Sequence, residues 1–493
     1  MRKYFFVMGG VVGFVFLLAF SNSSRPGAPT LSFEVDTLAR GLTVPWDIVF
    51  LPDGSILFTE RPGRVRLYKN NHLQDKPLLE LKDVEVRGKM GLMGACLHPQ
   101  FASNSFVYLA YNYRMEQNTY LKVMRYRYLK DSLIYESMII DSIPGSFNHT
   151  GCRLVFGPGQ KLYITTGDAD VPRLAQDTKA LNGKILRLND DGSIPTDNPF
   201  INNDTARKEI WTYGHRNSQG IVFQPGSGIL FNSEHGPNHG DEVNLVQKGH
   251  NYGWPIIHHR ETAAAMESPF MEFSPAIGPA EAIFYQGNAF PELKNNLLIG
   301  CMRGEALMRI QLDGQKLVAH EFLLKNRFGR IRAVAEGPEG YIYISTSQVD
   351  PPESNLAAGS SGYDLLLRLR PAGKKLIQTS SSKKPKTLFQ SKMANKVNTK
   401  IVKNIVTTSS KNRSAAVLYQ QLCASCHGQR LQGNKNAGSL TDNVWKYGSG
   451  RAGIIKTIRQ GVVDKGMPSW EGALKEQQIV QLTDFILTYR RKR

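Results

Sequence analysis

With 493 residues, the chain is longer than one hydrophobic core usually serves, and two or three domains are expected. Hydrophobic residues at 41% and charged residues at 21% exclude wholesale disorder, while 45 Gly and 25 Pro suit a turn-rich fold better than a helical bundle. Of the net charge of +19, eleven positive side chains lie between Pro371 and Ala415, where no Asp or Glu occurs, so the excess describes a solvated linker and excludes a nucleic-acid-binding face.

The first element is at the N-terminus. Met1-Arg-Lys is followed by the uncharged run Tyr4 to Phe20 and then by polar Ser21-Asn-Ser-Ser24. A basic head, an apolar run and small residues predict a secretory signal peptide over residues 1–24, with Ala19-Phe-Ser21 as its cleavage site. An uncleaved anchor is the alternative, because the run approaches the shortest membrane span. Either reading places the bulk of the protein outside the cytoplasm, in the periplasm, with membrane attachment only if the segment is retained.

A repeat occupies the next 340 or so residues. It consists of a Pro, a short turn and a β-rich run, as in Pro52-Asp-Gly-Ser-Ile-Leu-Phe-Thr-Glu60 and Pro158-Gly-Gln-Lys-Leu-Tyr-Ile-Thr-Thr166. Further copies start at Pro225 and Pro338, and weaker ones at Pro99 and Pro291. The six starts are 47, 59, 67, 66 and 47 residues apart, room for about four short strands and their loops. Six copies predict an all-β six-bladed β-propeller over residues 30–370. Cys96, Cys152 and Cys301, dispersed among apolar neighbours, read as small buried hydrophobes and not as a disulfide framework.

Propellers build sites where loops of several blades converge on one end of the channel, so functional residues should be scattered, each beside a repeat run. Four clusters meet that expectation: Asn148-His149, Thr166-Gly-Asp168, the stretch Tyr213 to Gly220 with Glu234-His-Gly-Pro237, and Arg330-Ile-Arg332. Singly, each has an ordinary structural reading, and Arg330 and Arg332 by default form a solvated face of a strand. Together they predict a shared Arg-rich pocket able to hold a polyanionic ligand.

With these residues in place, the sequence resembles the soluble quinoprotein glucose and aldose sugar dehydrogenases. The resemblance rests on Gly41-Leu-Thr-Val-Pro45-Trp46-Asp, Gly91-Leu-Met-Gly94 with His98-Pro99, His149-Thr-Gly-Cys-Arg-Leu, Tyr213-Gly-His-Arg-Asn-Ser-Gln-Gly220, Glu234-His-Gly-Pro237, Asp241-Glu-Val-Asn244 and Asn251-Tyr-Gly-Trp-Pro255, and covers about residues 38–347. It implies a six-bladed propeller that binds pyrroloquinoline quinone (PQQ) and Ca²⁺ and oxidises aldoses to lactones. It also implies roles: His149 as catalytic base, Asp168 as the carboxylate that orients it, and Arg216, Asn217 and Gln219 as quinone contacts. Arg330, Arg332 and Arg303 fall at the PQQ carboxylates, and the backbone carbonyls of Gly236 and Pro237 at calcium, a cation suited by hard oxygen ligands. Two positions depart from the family: Lys89 stands beside the sugar where a Gln is usual, and Arg303 where a Lys is usual. Lys89 adds a cation near the base and bears on substrate choice.

After the linker of residues 371–413 comes Cys423-Ala-Ser-Cys426-His427, the c-type haem attachment spacing: two thiols for the haem vinyl groups and a His for the iron. Zinc is the competing reading, but no second ligand pair follows. Met467, the only Met between residues 414 and 493, is the candidate sixth ligand and lies in a stretch that resembles the Met loop of small class I cytochromes c. An apolar stripe of Ile479, Leu482, Phe485, Ile486 and Tyr489 predicts a helix, and residues 414–493 are expected to be a small all-α cytochrome c domain.

The combined expectation is a periplasmic PQQ- and Ca²⁺-dependent oxidoreductase that takes a small sugar and passes electrons to its own haem c, then to a respiratory-chain acceptor. The alternatives are a metal-dependent lactonase and a sugar-binding propeller carrying an electron-transfer domain.

Overall fold

The structure, a computed structural model, describes residues 31–237, 239–348, 364–373 and parts of 415–490. The signal segment and nearly all of the linker lie outside the described residues. Two compact units divide near residue 378.

In the first unit, six antiparallel sheets follow one another along the chain, each of four strands except the first, whose outer edge is shared by two short pieces, His72–Leu73 and Leu79–Glu80. This is the six-bladed propeller. Each repeat run is the second strand of a blade: Ile56–Glu60, Phe106–Met115, Lys161–Thr166, Leu230–Glu234, Leu297–Cys301 and Ile342–Thr346. These strands are apolar and β-branched on both faces because each blade is packed between two others, which leaves no solvent face. The weaker copies have a longer connection from the Pro to the strand, through a helical turn, Phe101–Asn104, or a 3₁₀ turn, Pro291–Leu293, before Phe106 and Leu297. The first strands of the blades pack against one another in ring order and wall the channel.

The sixth blade is built from both ends of the unit. Phe33–Leu42 pairs antiparallel with Asp364–Pro371, from Phe33 opposite Pro371 to Leu42 opposite Asp364. Asp36 secures this closure, with its carboxylate 2.6 Å from Arg370 Nε and 2.9 Å from Arg368 Nη2.

The second unit contains the described helices Ala424–His427, Gly450–Gln460 and Glu476–Arg490. They enclose a core of Tyr419, Ile454, Ile458, Ile479, Leu482, Phe485 and Ile486, so the apolar stripe read from the sequence is the inward face of the last helix. Among the described residues no helix is long and apolar enough to cross a membrane.

Candidate functional site

The site begins with irregularities in the innermost strands. Pro45–Phe50, Ser218–Phe223 and Ile331–Glu336 each pair regularly with the second strand of their blade except for one inserted residue near the start. The insertions are Trp46 between Pro45 and Asp47, Gln219 between Ser218 and Gly220, and Arg332 between Ile331 and Ala333. A bulge leaves its extra residue out of the ladder and re-aims its side chain. The three inserted residues meet: Arg332 Nη1 donates to Gln219 Oε1 at 3.0 Å, and the Arg332 guanidinium lies 5.4 Å from the Trp46 ring centroid. Arg332 is 6% exposed, so the solvated-face reading fails for it, because strand alternation does not survive a bulge.

Glu281 occupies a two-residue irregularity in the fifth blade. Together with Asp47 it holds Arg153, whose Nη1 is 2.8 Å from Asp47 Oδ2 and 3.1 Å from Glu281 Oε2. Arg153 also covers the Trp46 ring at 4.1 Å and donates from Nε to the Gln219 carbonyl at 3.2 Å. Burial and the neighbouring Asp47 carboxylate push the Glu281 carboxyl well above the usual range. One arginine thus serves two acids, and blades one, three, four, five and six are tied together beneath the site.

His149 precedes the inner strand of the third blade with φ +50°, an uncommon conformation for a residue with a side chain, costing roughly 1–2 kcal/mol. Gly167 makes room for it, since a Cβ there would fall 1.9 Å from the His149 carbonyl oxygen. The His149 Nδ1 lies 2.7 Å from Asp168 Oδ1. Asp168 is fully buried, accepting the Asp170 backbone N–H at 3.0 Å and the Trp254 indole N–H at 2.8 Å. A carboxylate only accepts, so Nδ1 carries the proton and Nε2 keeps its lone pair. Asp170 Oδ1 lies 3.5 Å from the same Nδ1.

Cations gather beside this dyad. Lys89, Arg216, Arg303 and Arg332 are near enough to depress one another or the half-buried His235. Burial lowers Arg216 although Asp168, Asp241 and Glu234 oppose the shift, and burial with its cationic neighbours brings Lys89 to about 8. Arg216 donates from Nη1 to the His235 carbonyl at 3.0 Å and lies 5.3 Å from the Trp254 ring centroid, while its Nε is buried with no hydrogen-bond partner. Thr150 Oγ1 is likewise buried and unpartnered. Asn217 Oδ1 accepts from Gly151 N at 3.3 Å and from Gln219 Nε2 at 3.1 Å. Clustered cations, with the buried and orphaned Arg216 Nε among their donors, fit a polycarboxylate such as PQQ.

Gly236 and Pro237 line a small cavity together with Arg216, Glu234, His235, Glu242 and Trp254. Gly236 N donates to Asp241 Oδ1 at 2.9 Å, and Asp241 Oδ2 accepts from Ile277 N at 2.7 Å. Burial and then the adjacent Glu234 push Glu242 well up: two carboxyl groups lie side by side in the lining, and among the described residues the Arg216 side chain hydrogen-bonds to neither. Among the described residues no cluster of three or more His, Cys, Asp or Glu side chains could hold a metal by itself, leaving backbone carbonyls as the donors to consider.

In the helical unit, Cys423 and Met467 pack against one apolar core. His427 ends the turn that starts after Cys423, its N–H donating to the Cys423 carbonyl at 2.9 Å. The Cys426 side chain lies outside the described residues.

Sequence reading assigned no role to Trp46, Asp47, Arg153, Asp170, Trp254 or Glu281. Trp46, Asp47, Arg153 and Trp254 stood in the quoted motifs, but nothing in their spacing says which carboxylate or ring they meet.

Residues 42–352 match the glucose/sorbosone dehydrogenase family, and residues 410–486 match subunit III of cbb3-type cytochrome c oxidases. An aldose sugar dehydrogenase of Escherichia coli is 34% identical over 345 residues, covering 66% of this chain and 93% of the relative. The crystal structure of a putative glucose dehydrogenase of Thermus thermophilus superposes with a TM-score of 0.62 at 38% identity, over 69% of this chain and all of that one. The PQQ-bound aldose sugar dehydrogenase of Streptomyces coelicolor gives 0.59 at 30% identity, over 70% and 99%. The inserted residues, the His149–Asp168 pair and the clustered cations therefore lie within a shared fold. The chain belongs to the glucose/sorbosone dehydrogenase family and carries a C-terminal cytochrome c domain.

Proposed function

We propose that the protein is a periplasmic PQQ- and Ca²⁺-dependent dehydrogenase that oxidises an aldose to its lactone and delivers the electrons to its own haem c. The supporting observation is the buried Asp168 carboxylate 2.7 Å from His149 Nδ1, beside a cluster of cations. His149 Nε2 accepts the anomeric hydroxyl proton, and Asp168 stabilises the resulting imidazolium while holding the ring in register. Trp254 and the Asp170 N–H keep Asp168 in place. Arg330 and Arg332 would hold the carboxylates of PQQ with Arg303 also on the cofactor, Arg216, Asn217 and Gln219 would contact its quinone, and the carbonyls of Gly236 and Pro237 would hold Ca²⁺. When bound, PQQ supplies a two-electron acceptor for the hydride that leaves C1. Cys423 and Cys426 would attach the haem and His427 and Met467 would hold its iron, giving a one-electron carrier that a respiratory-chain partner could re-oxidise. Domain limits of 30–370 for the propeller and 414–493 for the cytochrome accompany this reading.

The test is to reconstitute the full chain with PQQ and Ca²⁺ and follow haem absorbance on adding aldoses. Reduction that requires both additions supports the reading, and its absence with every aldose refutes it.

A further inference from the structure

Lys89 differs from the other cations in where it is anchored. Its N–H donates to the Phe147 carbonyl at 2.9 Å, which draws its turn against the loop carrying His149. Gly88, at φ +58°, permits that approach: a Cβ there would lie 2.3 Å from the Phe147 oxygen and 2.7 Å from its ring. The Phe147 ring itself is 47% exposed. Beyond it stands Asp170, fixed by Ser146 Oγ at 2.7 Å and Asn148 N at 3.0 Å.

Among the described residues the Lys89 ammonium makes no hydrogen bond or ion pair. The charges that act on it most strongly are Arg216, Arg332 and Arg303, all of its own sign, with Asp170 in opposition. Lys184 shows how this fold treats a lysine that only fills space: its ammonium donates to the carbonyls of Leu174, Ala175 and Asn182 at 2.7, 3.0 and 2.7 Å. Lys89 is only partly buried and, among the described residues, no such carbonyls surround its ammonium, which leaves the charge open to an acceptor that a ligand supplies. The arginines come from the fourth, fifth and sixth blades, whereas the backbone of Lys89 is hydrogen-bonded to the loop that carries His149.

We propose that Lys89 binds an anionic substituent of the substrate, so that the site takes an acidic aldose, one bearing a carboxylate or phosphate, in preference to a neutral one. This rests on the dehydrogenase reading above. The ammonium forms a charge-assisted contact to the anionic group at one end of the sugar while His149 addresses the hydroxyl at C1, and the exposed Phe147 ring offers an apolar face to the C–H groups between them.

The experiment compares kcat/KM of the PQQ- and Ca²⁺-loaded full chain for glucuronate, glucose 6-phosphate and glucose in the unmodified protein, Lys89→Gln and Lys89→Arg. The acidic-to-neutral ratio should exceed one, fall roughly 10- to 100-fold in Lys89→Gln, be largely retained in Lys89→Arg, and shrink with added salt. The two acidic sugars separate carboxylate from phosphate as the group recognised. A ratio unchanged in Lys89→Gln overturns the proposal, as does a PQQ affinity, read by fluorescence titration, that falls tenfold while the ratio stays put, which would assign Lys89 to the cofactor. Calorimetric binding of glucuronate and glucose 6-phosphate to the loaded protein decides the matter independently of turnover. If no sugar reduces the haem, the dehydrogenase reading fails, while Lys89-dependent binding of either acidic sugar would still stand.

Discussion

Arg332 reaches across the channel to donate to Gln219 Oε1 at 3.0 Å, joining two residues 113 positions apart, each the inserted residue of a bulge in its own blade. The contact fixes a guanidinium on the sixth blade from the fourth. Gln219→Leu should therefore leave the fold intact and weaken PQQ binding about 5- to 50-fold by releasing Arg332. A fluorescence titration with PQQ measures it, and unchanged affinity would mean that Arg332 is held by its remaining contacts.

The orientation of the base gives a graded pair of variants. His149→Ala should lower kcat by a factor on the order of 10² to 10⁴, the usual range for losing a general base, with PQQ still bound. Trp254→Phe keeps the ring but removes the indole donor to Asp168. Its kcat should fall roughly 5- to 30-fold. Equal losses in the two variants would mean that Trp254 matters for more than Asp168.

Removing the shared arginine should be expensive. Arg153→Met leaves Asp47 and Glu281 buried without their counter-charge, and a loss of about 3–5 kcal/mol is expected near pH 7.5. Glu281 is raised above its unfolded value of about 4.5, so what its protonation contributes to stability is complete below that value and is lost as pH rises through the folded one. The variant's deficit should consequently shrink from pH 7.5 to pH 5. Thermal unfolding of the full chain, followed at both pH values, reads the difference.

Ring closure is tested at Asp36. Its carboxyl is lowered by hydrogen bonding to Arg370, then by Arg368, so its contribution is present above the unfolded value of 3.8 and is lost as pH falls through the folded one. The pair is partly exposed, and after screening Asp36→Asn should cost only about 0.5–1 kcal/mol at neutral pH. The gap between the two proteins should close at low pH and at high salt. A gap that persists at low pH would place the effect in packing of Phe33–Leu42.

The blades were legible because each second strand is buried on both faces, and that demand imposes the same apolar β-rich run after the same turn six times. The haem motif was legible because its two Cys and its His lie within five consecutive residues, 423–427. The closing strand was not: Phe33–Leu42 belongs to no repeat unit, and only its pairing with Asp364–Pro371 assigns it to the sixth blade. The roles of Arg153 and Trp254 were likewise out of reach, since each acts on a carboxylate more than eighty residues away.

The sequence by itself therefore determined the number of blades, the attached cytochrome domain and the scattered polar residues from which the site is drawn. The tertiary structure alone decided which of them meet. An inserted residue shifts a strand's alternation without changing its composition, so no periodicity in the chain reveals that Trp46, Gln219 and Arg332 turn toward one another. Nor does the sequence state charge balance, which depends on distance through space: Lys89 and Lys184 are both lysines, and only the fold surrounds one with carbonyls and the other with cations.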